Sequence, residues 1–198
     1  MLPAVTIIII CYLLGSVPTG ALLSRKLAGV DVTSLGSGNI GAANVLRVAG
    51  KKLGVLTLIG DMAKGVISVL LVRLFLGDQP VYLAQGALAA FLGHLYPIYL
   101  KFRGGKGVAV GLGAFLALAP LVGVVVFLIW AAVVALSKRV SLGSLVAALS
   151  LPAMVWVFKE GLPYLILAGG ITVLIFYRHR DNIRRLISGT EPGFRLSS

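Results

Sequence analysis

The sequence predicts an all-α, polytopic membrane protein with seven transmembrane helices, and three observations support this fold class. Of the 198 residues, 59% are hydrophobic and only 12% are charged, whereas a typical soluble domain has roughly 25% charged residues. The apolar residues form runs long enough to cross a hydrocarbon core about 30 Å thick. The basic residues lie mostly between these runs. Because basic loops prefer the cytoplasmic side of a membrane, their distribution indicates the topology. We expect one integral membrane domain over residues 1–198.

The first apolar segment, Leu2 to Leu23, lacks the basic start of a signal peptide, so we expect it to remain as a transmembrane helix. A polar, glycine-rich loop from Ser24 to Lys52 follows it. In chain order the apolar segments cover residues 2–23, 53–76, 81–100, 108–136, 141–158 and 162–177. A basic tail ends the sequence.

The segment Val108 to Leu136 decides the number of spans. As one helix its 29 residues would extend about 43 Å, well beyond the bilayer core. Pro120, followed by Gly123, predicts a break into two helices. Two helices make seven spans and place 15 of the 18 basic residues on one side. Those residues are Arg25, Lys26, Arg47, Lys51, Lys52, Lys101, Arg103, Lys106, Lys138, Arg139, Arg178, Arg180, Arg184, Arg185 and Arg195.

The positive-inside rule then predicts an outside amino terminus and a cytoplasmic carboxyl terminus. The first loop, the glycine-rich turn near residue 105 and the tail would all lie on the cytoplasmic face, where they could form one site. The net charge of +12 would suit a soluble nucleic-acid binder, but the long apolar runs exclude that class. The single cysteine, Cys11, excludes an internal disulfide and a multi-cysteine metal site.

The turn Arg103-Gly104-Gly105-Lys106-Gly107 joins two apolar segments. Glycines leave backbone N–H groups uncovered, and such groups at the start of a helix bind anions. Gly107, rather than Ser or Thr, follows Lys106, so the turn lacks the magnesium-binding hydroxyl of a nucleotide P-loop. We interpret the turn as a phosphate cradle; the alternative is a basic juxtamembrane loop in which glycines only end helices.

The first loop contains SGNIGAANVLR, starting at Ser37. Ser37, Gly38 and Asn39 present short polar or backbone donors, and Arg47 can bind a phosphate or carboxylate with two parallel hydrogen bonds. The alternative is a flexible loop, although its apolar residues favour a short element lying on the membrane.

The tail begins Arg178-His179-Arg180-Asp181-Asn182. If the last span continues as a helix, His179 and Asn182 share one face. His179 can exchange a proton near neutral pH. The alternative is a cationic cytoplasmic anchor.

His94 lies within the third span and is more typical of a hydrogen-bonded structural histidine. Asp61 and Lys64 are three residues apart in the second span and should face each other. An ion pair inside a membrane is costly and so indicates either function or helix-to-helix contact. No metal-ligand spacing, paired carboxylates or Ser-His-Asp arrangement is present.

Together, GSGNIGAANVLR, GHLYPIYLKFRGGKGVA and RHRDNIRRLISGTE resemble the three signature motifs of the bacterial acyl-phosphate:glycerol-3-phosphate acyltransferases, the PlsY family. The resemblance extends over the whole chain in length and motif order. It implies transfer of a fatty acyl group from acyl-phosphate to the 1-hydroxyl of glycerol 3-phosphate, giving lysophosphatidic acid and phosphate. It further implies a bacterial inner-membrane location and a reaction that uses neither metal nor cofactor.

The resemblance also implies roles for individual residues. Ser37, Arg47 and Lys106 would bind phosphate, with Gly104, Gly105 and Gly107 shaping the cradle. His179 and Asn182 would serve substrate binding or catalysis. The proton acceptor is either His179 or a phosphate oxygen of the substrate. A phosphate or organic-anion transporter is the alternative function, although no internal repeat supports it.

Overall fold

The computed structural model describes residues 2–193 of the chain. Within that range the regular secondary structure is helical throughout, which confirms the predicted all-α class. The α-helices are α1 Leu2–Ser16, α2 Thr19–Ala28, α3 Ala42–Ala49, α4 Lys51–Leu76, α5 Pro80–Leu95, α6 Val108–Leu118, α7 Pro120–Ser137, α8 Val140–Val157, α9 Leu162–Arg178 and α10 Arg180–Ile187. A 3-10 helix, Ile98–Leu100, follows α5.

The chain divides into two compact units, Met1–Leu118 and Ala119–Ser198. In the first unit α4 packs along α6 and α5, and α1 packs along α5 and α4. In the second unit α8 packs against both α7 and α9. The first loop and the glycine turn belong to the first unit, and the start of the tail belongs to the second.

Glycines bring the backbones of the first unit into direct contact. A Cβ atom on Gly113 of α6 would lie 2.0 Å from the carbonyl oxygen of Met62, and one on Gly65 of α4 would lie 2.2 Å from that of Val110. Gly15 of α1 and Gly93 of α5 approach each other's helices in the same reciprocal way. Small residues at both crossings replace the side-chain layer that would otherwise separate the helices.

Within residues 2–193, four helices are long and apolar enough to cross a membrane, and six spans result if each of two bent helix pairs is counted as one. The break predicted at Pro120 is present, with α6 ending at Leu118 and proline as the first residue of α7. The 11 residues of α6 rise only about 17 Å. The count of seven spans therefore stays a prediction.

Two bends differ from the simple spans expected from the sequence. The first apolar segment is divided between α1 and α2 by a bend of 40° at Val17 and Pro18, since proline has no N–H to continue the helical bonding. The last span does not continue straight into the tail, because α9 and α10 meet at 62° around His179. The third span also leaves the α-helix early, at Leu95, two residues before Pro97.

Candidate active site

The first loop is organised by the side chain of Asn44, which is buried at the start of α3. Its Oδ1 accepts a hydrogen bond from the backbone N–H of Ser37 at 2.9 Å. Its Nδ2 donates to the carbonyl oxygens of Val32, Leu35 and Asn39 at 3.0, 3.1 and 2.9 Å. One buried amide thus fixes the backbone of the segment that contains the predicted phosphate-binding residues.

Three of those residues have surfaces open to a ligand. Ser37, Gly38 and Arg47 are exposed, and Asn39 is half-buried. The Oδ1 of Asn39 accepts the N–H of Gly41 at 2.8 Å, so this oxygen shapes the turn into α3. Arg47 lies in the last turn of α3. The predicted short element over this stretch is therefore a helix, and Arg47 is displayed from its end.

An exposed carboxylate stabilises the entrance to the first loop. The Oδ1 of Asp31 accepts the side-chain hydroxyl and backbone N–H of Thr33 at 2.6 and 3.0 Å. Its Oδ2 accepts the Arg25 guanidinium at 2.7 Å. The Thr33 bonds, with a further contribution from Arg25, lower the pKa of Asp31 from 3.8 to about 2. Asp31 is therefore ionised throughout the neutral range.

The glycine turn folds back against the end of α5. The N–H of Gly105 donates to the carbonyl oxygen of His94 at 3.0 Å. A Cβ atom on Gly104 would lie 2.2 Å from that same oxygen, and one on Gly105 would lie 2.1 Å from Nε2 of His94. Gly107 has a φ of +82°, which side chains rarely adopt. Each glycine of the turn is therefore required by a contact or by backbone conformation.

Lys106 is half-buried between two buried glycines and lies two residues before the start of α6 at Val108. The turn therefore places a lysine near the first N–H groups of α6. This is the arrangement in which helix dipole and orphan donors both favour an anion. The geometry fits the predicted phosphate cradle.

A groove of about 450 Å³ in the first unit brings the first loop beside the approach to the glycine turn. Thr33 of the loop and Tyr99 and Leu100, just before the turn, line it together with Arg25. The remaining lining residues are Val17, Pro18, Ala21 and Leu22. The first loop, just before its motif, therefore lies beside the second motif segment on one side of this unit.

Beneath the glycine turn lies a cluster of three buried side chains, Asp61, Lys64 and His94. Nζ of Lys64 lies 2.7 Å from Oδ1 of Asp61, so the expected pair is present. The same Nζ lies 3.3 Å from Nδ1 of His94. The side chains of all three are at most 5% exposed. The sequence predicted the ion pair but not the inclusion of His94.

In the second unit, His179 lies buried at the corner between α9 and α10. Its Nδ1 is 2.9 Å from the carbonyl oxygen of Ile175. Because a carbonyl only accepts, Nδ1 must carry the proton. In the neutral ring Nε2 is then the basic nitrogen, which is the requirement for a group that takes up a proton.

Asn182 is buried and donates through Nδ2 to Oε1 of Glu191 at 2.6 Å. The other carboxylate oxygen accepts Nε of Arg185 at 2.7 Å. Burial raises the pKa of Glu191, but the nearby Ser141 hydroxyl and the hydrogen bonds from Asn182 and Arg185 outweigh it, so the pKa lies below the usual 4.5. Ionised Glu191 therefore holds the segment after α10 against that helix.

Sequence reasoning missed Asn44 and Glu191, which touch the predicted site residues. Asn44 lies within the first motif, and the available signal for its role was an amide among small apolar residues. Glu191 is an isolated acid in a basic tail, nine residues after Asn182. Each makes hydrogen bonds to residues five to twelve positions away, across turns whose geometry residue types alone do not reveal.

Three comparisons address the family. The model of the family described as "Glycerol-3-phosphate acyltransferase" matches residues 5–189. A protein of that name from Syntrophotalea carbinolica is 50% identical over 187 residues, covering 93% of this chain and 94% of that protein. Another from Rubrobacter xylanophilus is 49% identical over 192 residues, covering 96% of this chain and 94% of that protein.

A crystal structure of PlsY (YgiH), described as an integral membrane glycerol 3-phosphate acyltransferase in its glycerol 3-phosphate form, superimposes with a TM-score of 0.92. It is 42% identical, and the match covers 97% of this chain and 96% of that chain. Its lysophosphatidic acid form gives a TM-score of 0.89 at the same identity, over 97% of this chain and 95% of that chain. The resemblance seen in the three motifs is thus confirmed, and this chain belongs to the glycerol-3-phosphate acyltransferase family, the PlsY family.

Proposed function

We propose that this protein transfers a fatty acyl group from acyl-phosphate to the 1-hydroxyl of glycerol 3-phosphate, releasing lysophosphatidic acid and phosphate. The observation that carries the proposal is the close match to a PlsY structure in glycerol 3-phosphate and lysophosphatidic acid forms. An acceptor and its acylated product are the two ends of such a transfer. The family membership favours this enzyme over the transporter alternative.

Two phosphate-bearing substrates require cations and backbone donors. In the proposed site Ser37, Arg47 and Lys106 bind the phosphates, and the glycine turn supplies backbone N–H groups. Gly38 and Asn39 shape the first loop beside Ser37. Lys106 at the start of α6 and the exposed Arg47 at the end of α3 support these roles. The cations neutralise the phosphates without a metal ion.

In the reaction the hydroxyl oxygen attacks the acyl carbon, and the bond from that carbon to the phosphate oxygen breaks. The hydroxyl proton passes either to Nε2 of His179 or to an oxygen of the substrate phosphate. The donor is a mixed anhydride with a good leaving group, so positioning of the hydroxyl is a large part of catalysis. Asn182, oriented by Glu191, would position His179 or substrate.

The proposed topology has seven spans in one domain, an outside amino terminus and a site on the cytoplasmic face of a bacterial inner membrane. The distribution of basic residues supports this orientation. The break at Pro120 supports the division of the fourth apolar segment that seven spans require.

The direct test is purified protein in lipid vesicles with labelled glycerol 3-phosphate and palmitoyl-phosphate. We expect labelled lysophosphatidate, and none with palmitoyl-CoA as donor. Absence of product with palmitoyl-phosphate would refute the enzyme, and equal rates with both donors would refute the choice of donor. Chelator should leave the rate unchanged.

Lys106→Ala and Arg47→Ala should each lower kcat/KM by about 100-fold or more, because a charge-assisted phosphate bond is worth about 1.5–3 kcal/mol and its loss also misplaces the substrate. Lys26→Ala, in the exposed last turn of α2, is the matched control and should keep wild-type kinetics. Saturation curves for each substrate would assign each cation to one phosphate.

His179→Ala separates the two proton acceptors. A histidine base predicts a loss of about 100- to 10,000-fold in kcat. Retention of most of the turnover would favour the substrate phosphate as acceptor.

A further inference from the structure

We propose that the buried cluster of Asp61, Lys64 and His94 is a positioning device that holds the glycine turn in its phosphate-binding geometry. The inference rests on the proposed function, since it explains how the turn that presents Lys106 is kept in place. None of the three side chains needs to touch substrate.

Lys64 is the centre of this cluster. Its Nζ lies 2.7 Å from Oδ1 of Asp61 and 2.8 Å from the carbonyl oxygen of Val17. It also lies 3.3 Å from the carbonyl oxygen of Gly15 and 3.3 Å from Nδ1 of His94. One ammonium therefore joins α4 to the end of α1 and to α5. A lysine in this place fixes three helices relative to one another directly below the turn.

The cluster also fixes the orientation of the His94 ring. An ammonium only donates, so Nδ1 of His94 accepts from Lys64, and the proton of the neutral ring is on Nε2. Oδ1 of Asp61, 3.7 Å from Nδ1, lies on the same side of the ring. Nε2 consequently points away from the pair, toward the glycine turn.

His94 contacts the turn through both its backbone and its ring. Its carbonyl oxygen accepts the N–H of Gly105 at 3.0 Å. Its Nε2 occupies the space beside Gly105, where a Cβ atom would be only 2.1 Å away. Gly105 directly precedes Lys106, so the position of the ring sets the position of the lysine backbone.

Packing alone does not explain a buried ion pair. Replacing such a pair by apolar residues of similar volume is often neutral or stabilising, because desolvation of two charges offsets their attraction. Directional bonds to two carbonyl oxygens and a ring nitrogen give orientation that apolar side chains lack. Orientation matters here because a misplacement of about 1 Å can cost roughly 100-fold in rate.

The test uses two substitutions that each keep one of the two ring-nitrogen positions. In His94→Asn the amide oxygen replaces Nδ1 and keeps the bond to Lys64, but nothing occupies the position of Nε2. In His94→Gln the amide nitrogen replaces Nε2 beside Gly105, but no atom at the position of Nδ1 accepts from Lys64. We expect His94→Asn to raise KM for at least one phosphate substrate by about 10- to 100-fold with less than about threefold change in kcat, and His94→Gln to raise the same KM by a smaller factor, because its amide is no longer oriented by Lys64.

Leu83→Ala is the matched control, because Leu83 is on the same helix, 2% exposed and about three turns from His94. It should lower the melting temperature by creating a cavity and leave both KM values unchanged. Equal KM for His94→Asn and wild type would overturn the proposal, as would a KM rise in Leu83→Ala of the same size.

A double variant, Asp61→Asn with Lys64→Met, removes both charges together and so avoids a lone buried charge if His94→Asn does not fold. We expect it to raise KM in the same way, and an unchanged KM would overturn the proposal. Stabilisation of the folded protein by glycerol 3-phosphate or inorganic phosphate, measured by thermal unfolding, is the readout that does not need turnover.

The two readouts separate this inference from the proposed function. If wild type forms no lysophosphatidate but phosphate stabilises it, and His94→Asn loses that stabilisation, the enzyme assignment fails and the positioning role stands. If wild type is active and the His94 and double variants match it in KM and in phosphate stabilisation, the positioning role fails and the enzyme assignment stands.

Discussion

Asn44 hydrogen-bonds four backbone groups of the first loop, three carbonyl oxygens and one N–H. A loop rich in glycine loses much conformational entropy when it is ordered. A buried amide that satisfies several backbone groups at once offsets part of that cost. The order of the first loop therefore depends on a side chain that no substrate needs to touch.

Asn44→Asp should disrupt this loop, because a carboxylate oxygen would face the three carbonyl oxygens that Nδ2 now donates to. We expect a loss of stability of about 1–3 kcal/mol and a kcat/KM reduced at least tenfold. Thermal unfolding in detergent and the acyl-transfer assay measure the two effects. Ser37→Ala is the control: it keeps the backbone N–H, so its stability should match wild type while its activity falls. Equal stability of Asn44→Asp and wild type would contradict this account.

Glu191→Gln tests the carboxylate that closes the tail. The pKa of Glu191 is lowered in the folded state. Its contribution to stability is therefore fully present above about pH 4.5 and is lost as the pH falls through the lower folded-state pKa. At pH 7 we expect the variant to be about 1–3 kcal/mol less stable, and this difference should shrink below pH 4.5. Glu160→Gln, between α8 and α9, is the control. A difference that stays constant between pH 7 and pH 3 would argue against an ionised Glu191.

At this scale the sequence predicted which residues have the chemistry for the proposed site, and the structure added the hydrogen bonds that order the backbone around them. Ser37, Arg47, Lys106 and His179 could be proposed because their chemistry suits phosphate and proton transfer. Asn44 and Glu191 could not, because their importance comes from hydrogen bonds to backbone and side chains brought near only by folding. A pattern of residue types contains no such distances.

The helices of the first unit meet through glycines rather than through interlocking large side chains. At the crossing of α4 and α6, Gly65 and Gly113 each lie against the other helix's backbone. In a bilayer, where lipid tails compete equally for apolar side chains, such close packing is a main source of helix association. The glycine turn joins α5 to α6, so this crossing also determines one end of the turn.

Gly113→Ala should weaken this crossing, because the added Cβ would approach the Met62 carbonyl to 2.0 Å. We expect a loss of about 1–3 kcal/mol and a parallel fall in activity, measured by thermal unfolding and by acyl transfer. Gly169→Ala in α9 is the matched control, since nothing lies within 4 Å of its added Cβ. That substitution should be neutral or slightly stabilising. Similar losses in both variants would show that helix packing is not the cause.

An element boundary could be predicted where a proline lay within an apolar segment too long for one span. The segment containing Pro120 was too long for one span, and the predicted break is observed between α6 and α7. The break at Pro18 was missed because the first apolar segment had the right length for one straight helix. At this break the carbonyl oxygen of Val17 accepts the N–H of Thr19 at 3.0 Å and Nζ of Lys64, 47 residues later, at 2.8 Å.

For the whole molecule, the two units place the first two motifs in one unit and the third motif in the other. The common site proposed above therefore depends on the topology of the chain in the bilayer. Seven spans place the first loop and the tail on the same side, whereas six place them on opposite sides. The number of spans therefore decides whether the first loop and the tail can contribute to one site.

Cysteine labelling decides between these topologies. In a Cys11→Ala background, single cysteines at Ser34, Gln79 and Ser188 would probe three exposed positions. We expect an impermeant reagent added outside to label the residue 79 variant, and the other two only after permeabilisation. Outside labelling at residue 188 but not at residue 34 would refute the seven-span topology. Outside labelling at both residues would keep seven spans and reverse the orientation.

The bend after α1 has a consequence for how the protein is made. The carbonyl groups of Gly15 and Val17 bind a lysine that lies 49 and 47 residues later in the chain. At about 5–20 residues per second, the ribosome needs roughly 2–10 s to add that length. During this interval the first helix is in place before its lysine partner exists. Insertion of α4 is therefore the step that supplies the lysine bonds at the end of α1, and a stall between the two would leave these carbonyl groups without their lysine partner.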